Sequence, residues 1–222
     1  MGCLYITVNL QRNVIFWLPL IASLCLFSAP TMAGRQSEEP LSASVKAALS
    51  KAISDRAAPQ FAFSTDEEAK QWLNEMSLRL QKRMPDPALR LDFLKTVHYE
   101  ALRAGLDPQL VLGLIQVESG FKKYAVSTAK AMGYMQVMPF WVTAIGSAEQ
   151  NLFHLRTNLR YGCTILRHYL DIEKGDYFRA LGRYNGSLGR PEYPTLVVNA
   201  WQNFWSYPDK IKFAEIHPKS GG

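Results

Sequence analysis

The stretch Asp107–Ser119, DPQLVLGLIQVES, decides the fold of this 222-residue sequence. Asp107 is a favourable N-cap, and Pro108 suits the first helical position, where a missing N–H costs no hydrogen bond. The residues that follow are apolar almost all the way round the helix, which predicts a helix buried in a core rather than one lying on a surface. These apolar residues are Leu110, Val111, Leu112, Leu114, Ile115 and Val117.

Glu118 lies in the last turn of this predicted helix. The residues three, four and seven positions earlier are Ile115, Leu114 and Val111, so the carboxylate shares an apolar face. Burial and the negative end of the helix dipole both favour the protonated acid, so we expect the pKa of Glu118 to be raised. Such a carboxyl can serve as a general acid near neutral pH. The alternative is a glutamate at a frayed helix end that reaches water past Gly120.

The first 33 residues predict a secretory signal peptide. Arg12 precedes an apolar run from Val14 to Phe27, and Thr31-Met32-Ala33 then resembles a cleavage site. The run is short and interrupted by a proline, so a signal peptide cut after Ala33 is favoured over an uncleaved membrane anchor. We therefore expect a periplasmic or exported protein, with no stable membrane insertion after cleavage.

The composition predicts a packed, basic domain without disulfides. Removal of residues 1–33 leaves 24 Lys+Arg against 19 Asp+Glu, a net charge of +5, and Cys163 as a single cysteine. Such a domain depends on its core for stability, and the hydrophobic content of 48% fits that requirement. The positive charge suits an anionic polymer such as the cell wall. It would also suit nucleic acid, but export argues against that partner.

Helical patterns continue on both sides of the central helix. A weak helix is predicted over Ser44–Ser54, and a capping box at Thr65 and Glu68 starts an amphipathic helix. Gly162 lies within a later helix, where it costs about 1 kcal/mol relative to Ala, so we expect close helix packing there. The stretch 120–138 lacks strand alternation and predicts a loop with at most a short hairpin. Further helices are predicted over 88–104, 140–145, 155–174, 177–184 and 195–205.

Four ordered motifs bring this sequence close to a known family. They are Glu118-Ser119, then Ser127, then Gly133–Pro139 (GYMQVMP), then Tyr184-Asn185-Gly186. Together they resemble the catalytic domain of soluble-type (SLT) lytic transglycosylases, which share the goose-type lysozyme fold and cleave peptidoglycan. The resemblance covers about Leu89 to Trp205. It implies a mainly α, lysozyme-like (goose-type) helical domain with at most a small hairpin, plus an N-terminal helical extension.

The resemblance also implies a role for several side chains. Glu118 matches the single catalytic acid/base, and Ser127 matches the serine that contacts the N-acetyl group of the substrate. Gln136 and Met138 match residues that line the cleft. Tyr184 matches the tyrosine whose hydroxyl reaches into the site beside the catalytic glutamate.

Departures from the family pattern affect residues around the cleft. Tyr134 replaces the usual leucine, Lys122-Lys123 replaces the usual Asn-Pro, and Arg183 replaces the usual alanine. Arg183 either adds a cation near the cleft or faces solvent, and the two lysines form a solvated rim that could touch anionic peptide stems. We count Tyr134 and Asn185 among the substrate-binding candidates, although Asn185 could instead bond the loop backbone after its helix.

The chemistry expected of this site needs only one carboxylate. Most glycosidases use two, but no second Asp or Glu lies near any of the motifs. One is sufficient if the 2-acetamido carbonyl of N-acetylmuramic acid attacks its own C1. Glu118 would protonate the glycosidic oxygen and then take the proton of the C6 hydroxyl as a 1,6-anhydro ring closes. Metal-ligand spacing, phosphate loops and serine-hydrolase elbows are missing from the sequence, so neither a metal nor a cofactor is expected.

We therefore divide the sequence into a signal peptide (1–33), a lead-in with an N-terminal helical extension (34–87), a lysozyme-like transglycosylase domain (88–206) and a flexible C-terminal tail (207–222). The predicted function is that of an exported peptidoglycan lytic transglycosylase acting on glycan strands. One alternative is a hydrolytic lysozyme on the same fold, which its reducing-ended products would reveal. Another is a non-catalytic wall-binding or secretion-apparatus component. The retained motif residues argue against it; they are Glu118, Ser127, Gln136 and Tyr184.

Overall fold

A computed structural model describes residues 38–54 and 65–207, together with Gly2. Apart from that glycine, the described residues belong to the second of two units into which the chain divides, Thr31–Gly222. The predicted signal peptide and the tail after Tyr207 lie outside this range, so both stay predictions. Within the described ranges, no helix combines the length and apolarity needed to cross a membrane.

The regular secondary structure of the described part of the chain is helical. Two isolated antiparallel bridges, from Met132 to Val126 and to Val137, form its extended structure. The predicted mainly α class with at most a small hairpin is therefore confirmed. The elements are α1 (Ala43–Ser54), α2 (Asp66–Leu80), α3 (Pro87–Arg103), α4 (Pro108–Glu118), α5 (Phe140–Ile145), α6 (Leu155–Ile172), α7 (Tyr177–Asn185), α8 (Glu192–Asn199) and a π-helical segment, Ala200–Trp205.

Side-chain caps fix where several helices begin. Thr65 accepts a hydrogen bond from the Glu68 N–H at 3.2 Å, as the capping box predicts. Asp107 likewise accepts from the Gln109 N–H at 2.7 Å at the start of α4. The last helix begins at Glu192, three residues before its predicted start. Pro194 falls in its first turn, where the absent N–H has no helical partner to lose, so this proline does not mark a loop.

The α4 helix lies at the centre of the core, as its apolar sequence predicts. Leu110 and Leu114 are completely buried, and the helix packs against α3, α8 and the π-helical segment. Gly113 permits the closest of these approaches, since a Cβ there would lie 2.9 Å from the backbone nitrogen of Trp201. The position of α4 places its C-terminal residue, Glu118, inside the protein.

The predicted N-terminal extension shares this core. Trp72 and Met76 of α2 are 1% and 0% exposed, and α2 packs on α3. Arg79 of the same helix donates to the carbonyl oxygens of Phe204 and Ser206, both at 2.7 Å, and so ties α2 to the end of the π-helical segment. The helix α2 is therefore an integral layer of the domain.

Glu100 joins α3 to α6 through a buried ion cluster. Its side chain is 0% exposed and pairs with Arg103, Arg156 and Arg160. The guanidinium of Arg160 binds it most closely, at 2.7 Å. Removing this carboxylate would leave buried cations without a counter-charge, which is strongly destabilising.

Candidate active site

The carboxyl group of Glu118 is buried at the C-terminal end of α4. The residue is 4% exposed, and Ser119 caps the helix after it. Its Oε1 accepts a hydrogen bond from the Tyr193 hydroxyl at 2.5 Å. Its Oε2 is buried and has no hydrogen-bond partner. Glu118 is therefore an ordered, enclosed carboxyl, and the alternative of a frayed helix end is wrong.

The surroundings of Glu118 favour its neutral form. Burial raises its pKa to about 8, and the hydrogen bond from Tyr193 only partly opposes that rise. Burial and the adjacent Glu118 charge in turn raise the pKa of Tyr193 well above 10, so the phenol keeps its proton. Because Tyr193 donates to Oε1, the proton of neutral Glu118 lies on Oε2. The site thus holds a carboxylic acid near pH 7 whose protonated oxygen is uncommitted.

Tyr193 is the functional residue that sequence reasoning missed. Tyr193 lies between the helices predicted over 177–184 and 195–205, but in the structure it belongs to α8 and is 4% exposed. It lies 75 positions from Glu118, and no sequence spacing relates residues so far apart. The packing of α8 against α4 brings the two side chains together.

The family resemblance places the Tyr184 hydroxyl in the site beside Glu118, and that role stays a prediction, but the structure shows a hydrogen bond from Tyr184 to the loop. The Tyr184 hydroxyl donates to the Met135 carbonyl at 2.7 Å, and the residue is completely buried. It does raise the pKa of Tyr193, so the two phenols are neighbours. The hydroxyl beside the glutamate is that of Tyr193, while Tyr184 supports the loop behind it.

The loop that follows α4 is fixed to the helices on either side of it. The Ser119 hydroxyl donates to the Tyr134 carbonyl at 2.7 Å. Asn158 of α6 donates to the Met132 carbonyl and accepts from the Met135 N–H, both at 2.8 Å. Asn158 was also missed from the sequence, where it is an isolated amide in a helical pattern. These hydrogen bonds attach the loop to the C-terminal end of α4 and to α6.

Gln136 and Tyr134, both predicted to bind substrate, are buried in the structure, and their contacts with substrate stay predictions. Gln136 is 1% exposed, and its side-chain amide donates to the Ala125 and Gly133 carbonyls, so it braces the loop. Tyr134 is 7% exposed because its ring packs at 4.9 Å from Phe93. Both residues support the site from within.

The other predicted substrate-binding residues lie closer to solvent or keep free polar atoms. Ser127 is half-buried, and its hydroxyl accepts from the Ala131 N–H at 3.0 Å, which leaves its proton available to a ligand. Met138 is half-buried against the core. Asn185 is 3% exposed, and its Oδ1 is buried without a partner. Their substrate contacts stay predictions.

The arginines of α7 are paired with acidic side chains. Arg183, for which the sequence left two interpretations open, pairs with Glu173 and also with Glu39, at 3.4 Å in the second case. Arg179 also binds Glu173. In the described part of the chain, no group of three His, Cys, Asp or Glu residues could hold a metal ion.

Part of the chain is similar to a known protein family. Residues 95–193, from the middle of α3 to Tyr193, match the family model of the transglycosylase SLT domain. The chain therefore contains a region that is similar to the transglycosylase SLT domain. Its boundaries take in Glu118 and the hydroxyl that binds it, but leave out α1, α2 and most of α8.

Proteins similar to this SLT domain include transglycosylases from phage and bacteria. A transglycosylase of Enterobacteria phage PRD1 is 31% identical over 121 residues, which are 54% of this chain and 42% of the phage protein. A membrane-bound lytic murein transglycosylase C of Mannheimia succiniciproducens is 49% identical over 64 residues, 29% of this chain and 16% of that protein. The chain therefore spans less than half the length of these relatives.

A solved structure similar to the SLT domain comes from Pseudomonas aeruginosa. It is an inactive mutant of the lytic transglycosylase Slt, with 20% sequence identity and a TM-score of 0.40. The similarity covers 65% of this chain and 29% of the Pseudomonas chain.

Proposed function

We propose that this protein is an exported peptidoglycan lytic transglycosylase with a lysozyme-like catalytic domain. It cleaves the β-1,4 bond between N-acetylmuramic acid and N-acetylglucosamine and leaves 1,6-anhydro ends. The observation that carries the proposal is the buried Glu118, neutral near pH 7, with Oε1 bound to Tyr193 and Oε2 uncommitted. The SLT family match supports the same reaction class.

In the first step Glu118 acts as the acid. Its Oε2 proton moves to the glycosidic oxygen as the bond from that oxygen to C1 of the muramic sugar breaks. The acetamido carbonyl oxygen of the same sugar bonds to C1 and supplies the nucleophile, as in substrate-assisted glycosidases. Burial is the larger influence on the pKa of Glu118, and the hydrogen bond from Tyr193 opposes it.

In the second step Glu118 acts as the base. The carboxylate takes the proton of the C6 hydroxyl while O6 bonds to C1 and the acetamido oxygen leaves it. The ring closes within one sugar, so the nucleophile is already in place and competes well with water. The Tyr193 hydroxyl stabilises the transient carboxylate through Oε1, in the way that a positioned donor stabilises developing charge. Ser127 is the candidate donor to the acetamido group.

The test is a Glu118→Gln variant, compared with Glu149→Gln at an exposed glutamate. The amide oxygen can still accept from Tyr193, so the variant should fold. It can neither donate an acid proton nor accept one, so clearing of purified peptidoglycan should fall by about 10⁴-fold or more. Glu149→Gln should clear at the wild-type rate. A folded Glu118→Gln protein with near wild-type clearing would overturn the mechanism.

Product analysis separates this proposal from its alternatives. Mass spectrometry of the fragments released by the wild-type protein should find 1,6-anhydro ends. Reducing ends would instead identify a hydrolytic lysozyme, and a protein that binds sacculi without releasing fragments would be a scaffold.

Export is part of the proposal and rests on the sequence. The apolar run from Val14 to Phe27 and the Thr31-Met32-Ala33 site support a cleaved signal peptide. N-terminal sequencing of the protein recovered from the periplasm should begin at or near Gly34. A mature chain that still contains Trp17 would indicate a membrane anchor.

A further inference from the structure

The loop after Glu118 presents an aromatic side chain to solvent. Tyr124 is 70% exposed, the largest exposed fraction among the large hydrophobic residues that the structure describes. Val126, two positions on, is 53% exposed. Neither residue is needed for the acid–base chemistry of Glu118. An exposed aromatic ring on the loop that follows the candidate catalytic residue is available to a ligand.

The Tyr124 ring is held in place although it is exposed. It packs against the half-buried Phe153, with 5.6 Å between ring centroids and 58° between ring planes. The Lys123 ammonium lies 5.1 Å from the centre of the same ring. Most of the Tyr124 surface remains open with both neighbours present. An aromatic ring oriented in advance loses little conformational entropy when a ligand binds to it.

Both members of this pair are attached to the loop that carries the predicted substrate-binding residues. The carbonyl of Ala125, next to Tyr124, accepts from the Gly133 N–H and the Gln136 amide. The carbonyl of Leu152, next to Phe153, accepts from Asn158 at 2.9 Å. Asn158 is the residue that also fixes Met132 and Met135. The pair therefore has a fixed position relative to Glu118.

We propose that Tyr124, supported by Phe153, is a sugar-binding platform that holds the glycan strand beyond the bond being cleaved. This inference rests on the proposed function. Tyr124 follows Glu118 by six positions, so even an extended chain would place it no more than about 22 Å away. A strand of several sugars can span that distance. Pyranose rings have apolar faces lined with C–H groups, which pack well on an exposed aromatic ring.

The platform affects binding and not the reacting atoms. Tyr124→Ala should raise KM for long glycan strands by about 3- to 10-fold and leave kcat within twofold of wild type. Tyr124→Phe keeps the ring and should behave like wild type. Phe178→Ala is a matched control, because Phe178 is a 42% exposed aromatic residue on α7. It should change neither constant.

Binding is best measured without cleavage. Each substitution is combined with Glu118→Gln, and co-sedimentation with purified sacculi and with peptide-free glycan strands gives the affinity. Tyr124→Ala should weaken binding to both probes by about 3- to 10-fold, at an unchanged melting temperature. Equal affinity of the Tyr124→Ala and parent proteins would overturn the platform. So would a loss of affinity in Tyr124→Phe as large as that in Tyr124→Ala.

The same experiment distinguishes the platform from the function on which it rests. If the Glu118→Gln parent binds neither probe and the wild-type protein releases no fragments, the proposed function fails, and the platform fails with it. If the parent binds and the wild-type protein cleaves, but Tyr124→Ala changes neither affinity nor KM, the platform alone fails.

Discussion

The Tyr193 hydroxyl donates a hydrogen bond to Oε1 of Glu118 at 2.5 Å inside the protein. This bond divides the two carboxyl oxygens into one that is held and one that carries the proton. A buried carboxylic acid without such a partner could turn or exchange its proton between its two oxygens. Tyr193 is therefore a positioning residue for Glu118 as well as its electrostatic partner.

Replacing Tyr193 by Phe should reduce turnover by about 10²-fold, because one positioned donor to the transient carboxylate is lost. The hydrogen bond from Tyr193 lowers the pKa of Glu118, so its removal should shift the alkaline limb of the pH–rate profile to higher pH. Steady-state rates from pH 5 to pH 10 measure both effects. A Phe variant with wild-type turnover and an unmoved limb would show that the hydroxyl is dispensable.

Replacing Tyr184 by Phe should mainly reduce stability. The Met135 carbonyl would lose a buried donor, at a cost of about 1–3 kcal/mol. This corresponds to a melting temperature lower by roughly 3–10 °C for a domain of this size. Turnover should fall less than in Tyr193→Phe. Thermal melting and turbidity clearing, measured on the same preparations, compare the two variants. A larger loss of turnover in Tyr184→Phe than in Tyr193→Phe would show that the Tyr184 hydroxyl is the more important of the two for catalysis.

The pH dependence of activity should follow the ionisation of Glu118. The reaction needs the protonated acid, and the pKa of Glu118 is about 8. We expect kcat/KM to be maintained at neutral pH and to fall about tenfold per pH unit above pH 8. A profile that already falls between pH 4 and pH 6 would mean that Glu118 ionises like an exposed glutamate.

The same raised pKa predicts how stability depends on pH. The folded protein keeps the Glu118 proton up to about pH 8, whereas the unfolded chain releases it near the ordinary value of 4.5. Stability from this group is therefore fully present below pH 4.5 and is lost as pH rises towards 8. Glu118→Gln has no such proton to lose. The difference between its free energy of unfolding and that of wild type should therefore shift in favour of the variant as pH rises from 4.5 to 8, by at most about 5 kcal/mol.

Denaturant unfolding of both proteins at pH 4.5, 6 and 8 measures this difference. Glu149→Gln, at an exposed position, should show no such trend. A constant difference between Glu118→Gln and wild type at all three pH values would contradict a buried, neutral Glu118.

Replacing Gly162 by Ala should destabilise the protein, although Ala is the better helix former by about 1 kcal/mol. A Cβ at this position would lie 2.7 Å from the Cβ of Met135. The backbone of Met135 is held by Asn158 and Tyr184, so it cannot easily move away. We expect a net loss of about 1–3 kcal/mol, the usual cost of overpacking.

A double-mutant cycle checks the cause of that loss. Met135→Ala removes the Sδ and Cε that also lie close to the new methyl group but keeps the Cβ, so Gly162→Ala should keep only part of its cost in that background. An equal cost in both backgrounds would place the strain elsewhere. The sequence predicted close packing at Gly162, and the structure shows that a loop residue, rather than another helix, is what packs there.

The sequence by itself determined the elements whose causes are local. The cap and proline at Asp107-Pro108 start α4, the apolar run buries it, and Glu118 at its end acquires a raised pKa. Each of these properties follows from residues within one or two helical turns. The same holds for the capping box at Thr65. The burial of Glu100 was not predictable in this way, because two of its three arginine partners lie on another helix.

Only the tertiary structure decided which hydroxyl meets Glu118. Tyr184 and Tyr193 are both tyrosines close to the turn after α7, and nothing in their local patterns tells them apart. The packing of α8 on α4 turns Tyr193 towards Glu118, and the end of α7 turns Tyr184 towards Met135. Local pattern sets where a helix begins and which face is apolar. The partner of a buried polar group depends on how helices pack, and that arrangement is a property of the whole core.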